Sequence, residues 1–161
     1  SQEVDKIKNL FLNKKIDNKK LIALLNNKYN IDFNSLRDSC FSGEKEILNK
    51  NLGNITLQNE DIYFYLNNLH SRLKKLLDLR IEYEKYKDIN VAMENIKPKI
   101  FWKDKPIFYK QVKKWNLRKI EDGKKMLSDA EILIKTRLNS YNEIIIKDLL
   151  IKLYLKASST S

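Results

Sequence analysis

Residues that interrupt helices are nearly absent from this chain, which has three Gly and two Pro in 161 residues. Sandwiches and barrels turn often and draw on such residues, so their scarcity argues against a fold of many short strands. Apolar residues recur at steps of three and four along most of the sequence, which is the spacing of one helix face. The expectation is an all-α bundle of eight or nine helices.

The segment Glu3–Leu12 carries Val4, Ile7, Leu10 and Phe11 at helical spacing. A short helix follows over about 18–26, and the run Asn26-Asn27-Lys28-Tyr29-Asn30 reads as a linker, because asparagines favour turns. A helix over about 32–41 ends at Gly43, where a C-terminal glycine cap belongs. Another spans about 44–52 and is closed by Gly53. The strongest element covers about 58–85, with Ile62, Leu66, Leu69, Leu73 and Leu76 forming a coiled-coil-like seam. A single helical turn is expected over 88–95.

Pro98 breaks the chain there, and Pro106 suits the first turn of a new helix to about Trp115. Asn116 fits the cap of the next helix, to about Arg137, with Leu117, Ile120, Leu127, Ala130 and Ile134 as its apolar face. Gly123 in its middle weakens it slightly. The last helix, about 142–157, is apolar nearly all round and must be buried, in this chain or against a partner. Residues 158–161 read as a disordered tail. The longest apolar run is Ile144-Ile145-Ile146, far short of the ~20 residues of a membrane span. No signal peptide is read at the start, so the expected location is cytoplasmic.

The formal net charge is +11. Of the 32 basic residues, 27 are Lys, and there are 18 Asn and 19 Ile, all favoured by A/T-rich codons, so part of the surplus reflects codon usage. Codon usage does not explain position, however. Residues 96–161 carry sixteen basic and seven acidic groups, a net of +9, against +2 in residues 1–60 and zero in 61–95. The stretch from Lys97 to Trp115 interleaves five aromatics with seven lysines, residue types that stack on bases and neutralise phosphates. Helical spacing puts Phe108, Val112 and Trp115 on a buried stripe. On that spacing the aromatics are expected to be core and the lysines the exposed part.

Signatures of chemistry are missing. There is no phosphate-binding loop of the G-x-x-x-x-G-K-[ST] type, no G-x-S-x-G, no H-E-x-x-H and no C-x-x-C. One cysteine, Cys40, and one histidine, His70, provide neither a disulfide nor a zinc site of ordinary ligand count. Cys40 reads as a small buried hydrophobe and His70 as a helix-surface residue. Carboxylate pairs such as Glu82/Glu84 and Glu121/Asp122 sit among lysines, as on a solvated face. No catalytic residue, metal or cofactor is assigned.

One set of segments resembles a known family. Lys97-Pro98-Lys99-Ile100-Phe101-Trp102-Lys103, then Lys113-Lys114-Trp115-Asn116, then Ala130-Glu131-Ile132-Leu133-Ile134-Lys135 is similar in order and spacing to the C-terminal region of the delta subunit of the bacterial DNA polymerase III clamp loader. Upstream, Phe33-Asn34-Ser35-Leu36 to Phe41-Ser42-Gly43-Glu44 resembles that family's helix ending in a small-Gly-acidic turn. The seam Leu66, Leu69, Arg72, Leu73, Leu76, Leu77 resembles its long helix. The single proline at 98, where the family often has two, and Asn116 in place of Ser are departures.

The resemblance implies a lid remnant of an AAA+ protein over 1–27 and a collar domain over 28–157. Family members resemble AAA+ ATPases but do not hydrolyse ATP. Their N-terminal module opens the sliding clamp, and their collar domains hold the loader subunits together. This chain would then be the collar part, without the clamp-contacting module. Its implied partners are the other loader subunits, through Ile145, Leu149, Leu150, Leu153 and Tyr154 of the last helix. Primed DNA is a further expected partner, through Lys110, Lys113, Lys114, Arg118 and Tyr141. A freestanding basic helical module that binds single-stranded or primed DNA is the alternative.

Overall fold

The structure, a computed structural model, describes residues 18–160. Among them are seven α-helices, three short 3-10 turns and no strand. The expected helix over Glu3–Leu12 lies outside the described residues. The chain divides into two compact units, Ser1–Asn34 and Ser35–Ser161.

The first helix, α1, is Asn18–Phe41, one uninterrupted element. The linker expected at 26–30 is therefore helical. Asparagine disfavours a helix by only about 0.7 kcal/mol per residue. No Gly or Pro stands between 18 and 41 to break the run outright. The end of α1 is well defined. Gly43 has φ +69°, its N–H donates to the Cys40 carbonyl, and Glu44 N–H donates to the Ser39 carbonyl. That pair of bonds is the Schellman motif, and it needs the left-handed residue that glycine supplies.

Six more helices make up the rest of the second unit. They are α2 (Lys45–Asn54), α3 (Ile62–Tyr86), which is the longest of them, α4 (Ile89–Asn95), α5 (Lys105–Lys114), α6 (Leu117–Thr136) and α7 (Asn142–Ser158). Helix α2 runs through Gly53 instead of stopping there. In α3 the buried side chains are the expected seam of Ile62, Leu66, Leu69, Leu73 and Leu76, joined by Tyr65, Arg72 and Leu79. This stripe lets α3 pack against α4, α5, α6 and α7. Lys87 at φ 57° ends α3, and Asp88 caps α4 by accepting from Asn90 and Val91 N–H.

Helices α6 and α7 are an antiparallel pair. The start of α6 lies beside the end of α7, as Lys119 Nζ donates to the Ser159 carbonyl and Lys156 pairs with Asp122. Asn116 caps α6 by accepting from Lys119 N–H at 2.8 Å. The register of α6 differs from expectation by a small rotation. Lys119, Ile120, Gly123, Leu127, Ala130 and Ile134 face inward, and Leu117 is exposed. Ser158 closes α7 and Ser159 is its C-cap, with Ser159 N–H donating to the Leu155 and Lys156 carbonyls. Ser158 thus belongs to α7, and Ser159 is hydrogen-bonded to both α6 and α7.

A buried polar network joins α1, α3 and α5. Arg72 donates to Asp38 at 2.7 Å and to Gln111 at 2.9 Å, and stacks on the Phe108 ring. Gln111 in turn donates to Ser42 Oγ. Burial lowers the Arg72 guanidinium to about 10, with Arg37 adding to the shift and Asp38 and Asp104 opposing it. Trp115 is fully buried, donates to the Phe41 carbonyl at 2.9 Å, and packs on the Phe41 ring. Cys40 is buried, and its thiol donates to the Leu150 carbonyl.

Candidate functional site

The basic region is built where the ends of α5, α6 and α7 meet. Lys113 and Lys114 are the last residues of α5, a favourable place for cations at a helix C-terminus. The buried stripe of Phe108, Val112 and Trp115 anchors the other side of α5 and turns both lysines outward. Beyond Trp115 the chain re-enters a helix at Asn116. That brings Lys119 back beneath them, and α3 contributes Arg80 from behind. These side chains line a cavity of about 360 Å³ with Asn116 and Ser159.

Arg80 and Lys119 were not among the residues chosen from the sequence. Arg80 stands 33 positions before Lys113, so no local pattern links the two. Lys119 did leave a signal, since it lies four residues before Gly123 on the inward stripe of α6. Burial lowers its ammonium pKa, and the charges of Lys156 and Lys114 lower it further.

The other chosen cations are placed differently. Lys110 pairs with Glu44 at 3.2 Å. Lys113 Nζ also sits over the Tyr109 ring at 4.2 Å, a cation–π contact. Arg118 is exposed. Tyr141 is exposed on the 3-10 turn Asn139–Tyr141, at the far end of α6. The 20 residues of α6 put about 30 Å between that turn and the lysines, so Tyr141 does not join their cluster.

The aromatics of the 97–115 stretch divide. Phe108 and Trp115 are core, but Phe101 and Trp102 are 57% and 67% exposed, and Tyr109 is partly exposed. The spacing argument holds only inside α5; Phe101 caps and Trp102 opens the 3-10 turn Trp102–Asp104 that precedes it. Phe101 and Phe64 line a second cavity, of about 550 Å³, with Arg37, Arg72, Lys75 and Lys99. Charges there are largely answered. Arg72 pairs with Asp38, Lys99 with Glu94, and Lys75 donates to the Pro98 carbonyl.

The apolar last helix is two-sided. Ile146, Leu149, Leu150, Leu153 and Ala157 are buried within the chain's own second unit. Of the five residues expected at a partner surface, Leu149, Leu150 and Leu153 are therefore core, and Ile145 and Tyr154 are half-buried. The reason is the packing of α7 on both α6 and α3, which consumes that face. The outward stripe is instead Ile144, Ile151 and Leu155, exposed by 64%, 43% and 58% and spaced as one helix face. Leu133 of α6 and Ile144 and Ile145 of α7 line a shallow groove between the two helices.

His70 is partly exposed, 4.0 Å from Glu131. Among the described residues no group of three or more His, Cys, Asp or Glu can hold a metal ion. Nor is any helix among them long and apolar enough to cross a membrane. No family model, no curated protein and no solved structure matches the chain.

Proposed function

We propose that this chain is a non-catalytic assembly domain of the clamp-loader delta type, joining other loader subunits in a collar during DNA replication. The observation that carries this reading is apolar surface left over after the core is complete. One patch is the outward stripe of α7 with Leu133, which borders Ile144 in the groove between α6 and α7. Another is aromatic, with Phe64, Phe101 and Trp102, and it belongs to different elements. A ring member with unlike neighbours on its two sides needs two different faces. Exposed apolar surface of this kind marks association sites. The order of the motifs along the sequence, from the seam of α3 to the end of α6, supports the same reading.

The test is reconstitution. The chain mixed with the remaining loader subunits is expected to co-elute with them in size-exclusion chromatography. If it elutes alone at micromolar concentrations of all subunits, the assembly reading is wrong.

A second reading rests on a separate observation, the exposed cations Lys113, Lys114 and Arg118. In it the chain is a basic helical module that binds single-stranded or primed DNA without a partner. It predicts affinity that falls steeply with salt, because cations on phosphates release counterions. Binding that is unaffected by changing Lys110, Lys113 and Lys114 to Gln would remove it.

A further inference from the structure

Lys119 is a cation in an unfavourable place. It is only 8% exposed, and it lies in the first turn of α6, where the helix dipole already presents positive charge. Lys114 and Lys156 add like charge around it. Its ammonium donates to the Ser159 carbonyl and, among the described residues, pairs with no carboxylate. Lysines at helix C-termini have an ordinary explanation in the dipole, and that accounts for Lys113 and Lys114. It does not account for Lys119, which sits at the opposite end of its helix.

The charge around the cavity does not balance. Among the described residues, four cations line it, Arg80, Lys113, Lys114 and Lys119, and no carboxylate does. Glu84 answers Arg80 at 2.5 Å, and Asp122 is taken by Lys156. The C-terminal ends of α5 and α7 contribute about half a negative charge each. Roughly two positive charges remain, in a polar recess of about 360 Å³, near the lower end of small-ligand sites. The first-turn N–H groups of α6 lie beside it. Asn116 takes that of Lys119, whereas those of Leu117 and Arg118 have no intrahelical acceptor by construction.

We propose that this cavity is a phosphate-binding site. Lys119 forms its floor, Lys113 and Lys114 its rim, and Arg80 backs it, held in place by Glu84 and the Val112 carbonyl. A phosphate entering it answers the buried ammonium, the like-charge crowding and the dipole of α6 together. The ligand is a phosphate group, supplied either by the backbone of a nucleic-acid strand or by a free anion such as pyrophosphate. The site stands on its own geometry and does not depend on the assembly reading.

The experiment follows amide chemical shifts of the 161-residue chain during two titrations at low salt, one with pyrophosphate and one with a short oligothymidylate. Shifts are expected at residues 116–119 and 158–159. Lys113→Gln with Lys114→Gln, both on exposed side chains, is expected to weaken binding at least about tenfold, the equivalent of one charge-assisted hydrogen bond. Lys119→Met is expected to abolish the response while raising the thermal midpoint of the unliganded chain, since it removes a buried charge that the Ser159 carbonyl answers only in part.

If the oligonucleotide moves these amides and pyrophosphate competes with it, the site is a backbone-phosphate contact. If pyrophosphate alone moves them, the site stands and takes a free anion. If neither moves them, or both the Lys113/Lys114 double variant and Lys119→Met respond like the parent chain, the proposal is overturned. The double variant keeps the test decisive should Lys119→Met fail to fold.

Discussion

Gly123 shows how one residue sets a distance between helices. A Cβ placed there would lie 3.1 Å from Trp115 Cζ3 and 3.3 Å from both Leu73 methyl carbons. Trp115 cannot yield easily, because it is fully buried and its indole N–H is committed to the Phe41 carbonyl. Alanine would gain about 1 kcal/mol of helix propensity. Overpacking of this kind costs about 1–3 kcal/mol. Gly123→Ala is therefore expected to lower stability by about 1 kcal/mol net, read as a lower urea midpoint; a raised midpoint would show that the close approach is not limiting. From the sequence, Gly123 was only a weak point in a helix, because its role depends on Leu73, fifty positions away. Arg72 was hidden for a similar reason. It sits on the leucine seam of α3, and its partners Asp38 and Gln111 come from two other helices. Arg72→Ala leaves the buried Gln111 side-chain oxygen without its donor, while Asp38 keeps Arg37 at 3.0 Å, and is expected to cost about 1–3 kcal/mol in chemical denaturation.

At the scale of elements, the ends of helices were more legible than their continuity. Gly43, Asp88, Pro106 and Asn116 all stand at helix ends or first turns, as local chemistry requires. The asparagines at 26–30 suggest a break, but their propensity penalty is weak and the helix runs through them. Gly53 suggests one in the same way, and α2 runs through it. Asn116 offers a test that joins local structure to the proposed site. Asn116→Ala removes the cap and is expected to cost about 1 kcal/mol. Asn116→Asp keeps the cap and adds a carboxylate beside Lys113, Lys114 and Lys119. It is expected to stabilise the free chain by about 0.5–1 kcal/mol while weakening pyrophosphate, since the new carboxylate competes for the same cations. A capping residue without the cationic cavity predicts the first effect and not the second. Calorimetric unfolding with and without pyrophosphate separates them.

On the scale of the whole molecule, an all-helical chain was legible from the scarcity of Gly and Pro, but which apolar residues remain outside was not. Helix α7 reads as apolar all round, so its sequence does not say which side the chain keeps for itself. The fold decides, because α3 and α6 approach from one side and bury Ile146, Leu149, Leu150 and Leu153. Two kinds of substitution on one helix are then expected to part company. Leu150→Ala opens a cavity in the core and is expected to cost about 2–5 kcal/mol of stability. Ile144→Glu and Leu155→Glu place charges where water already reaches, so each should change stability by no more than about 0.5 kcal/mol. In an assembly that closes over the outward stripe, those charges are buried without a partner, and association is expected to weaken by at least about a hundredfold. The decisive pair of measurements is thermal unfolding of each variant alone and its co-elution with the loader subunits. Charged variants that unfold like the parent chain and still co-elute would show that α7's outward face is not where the partners sit. Loss of co-elution together with loss of folding would leave Ile151→Ser, a milder change on the same stripe, to separate the two effects.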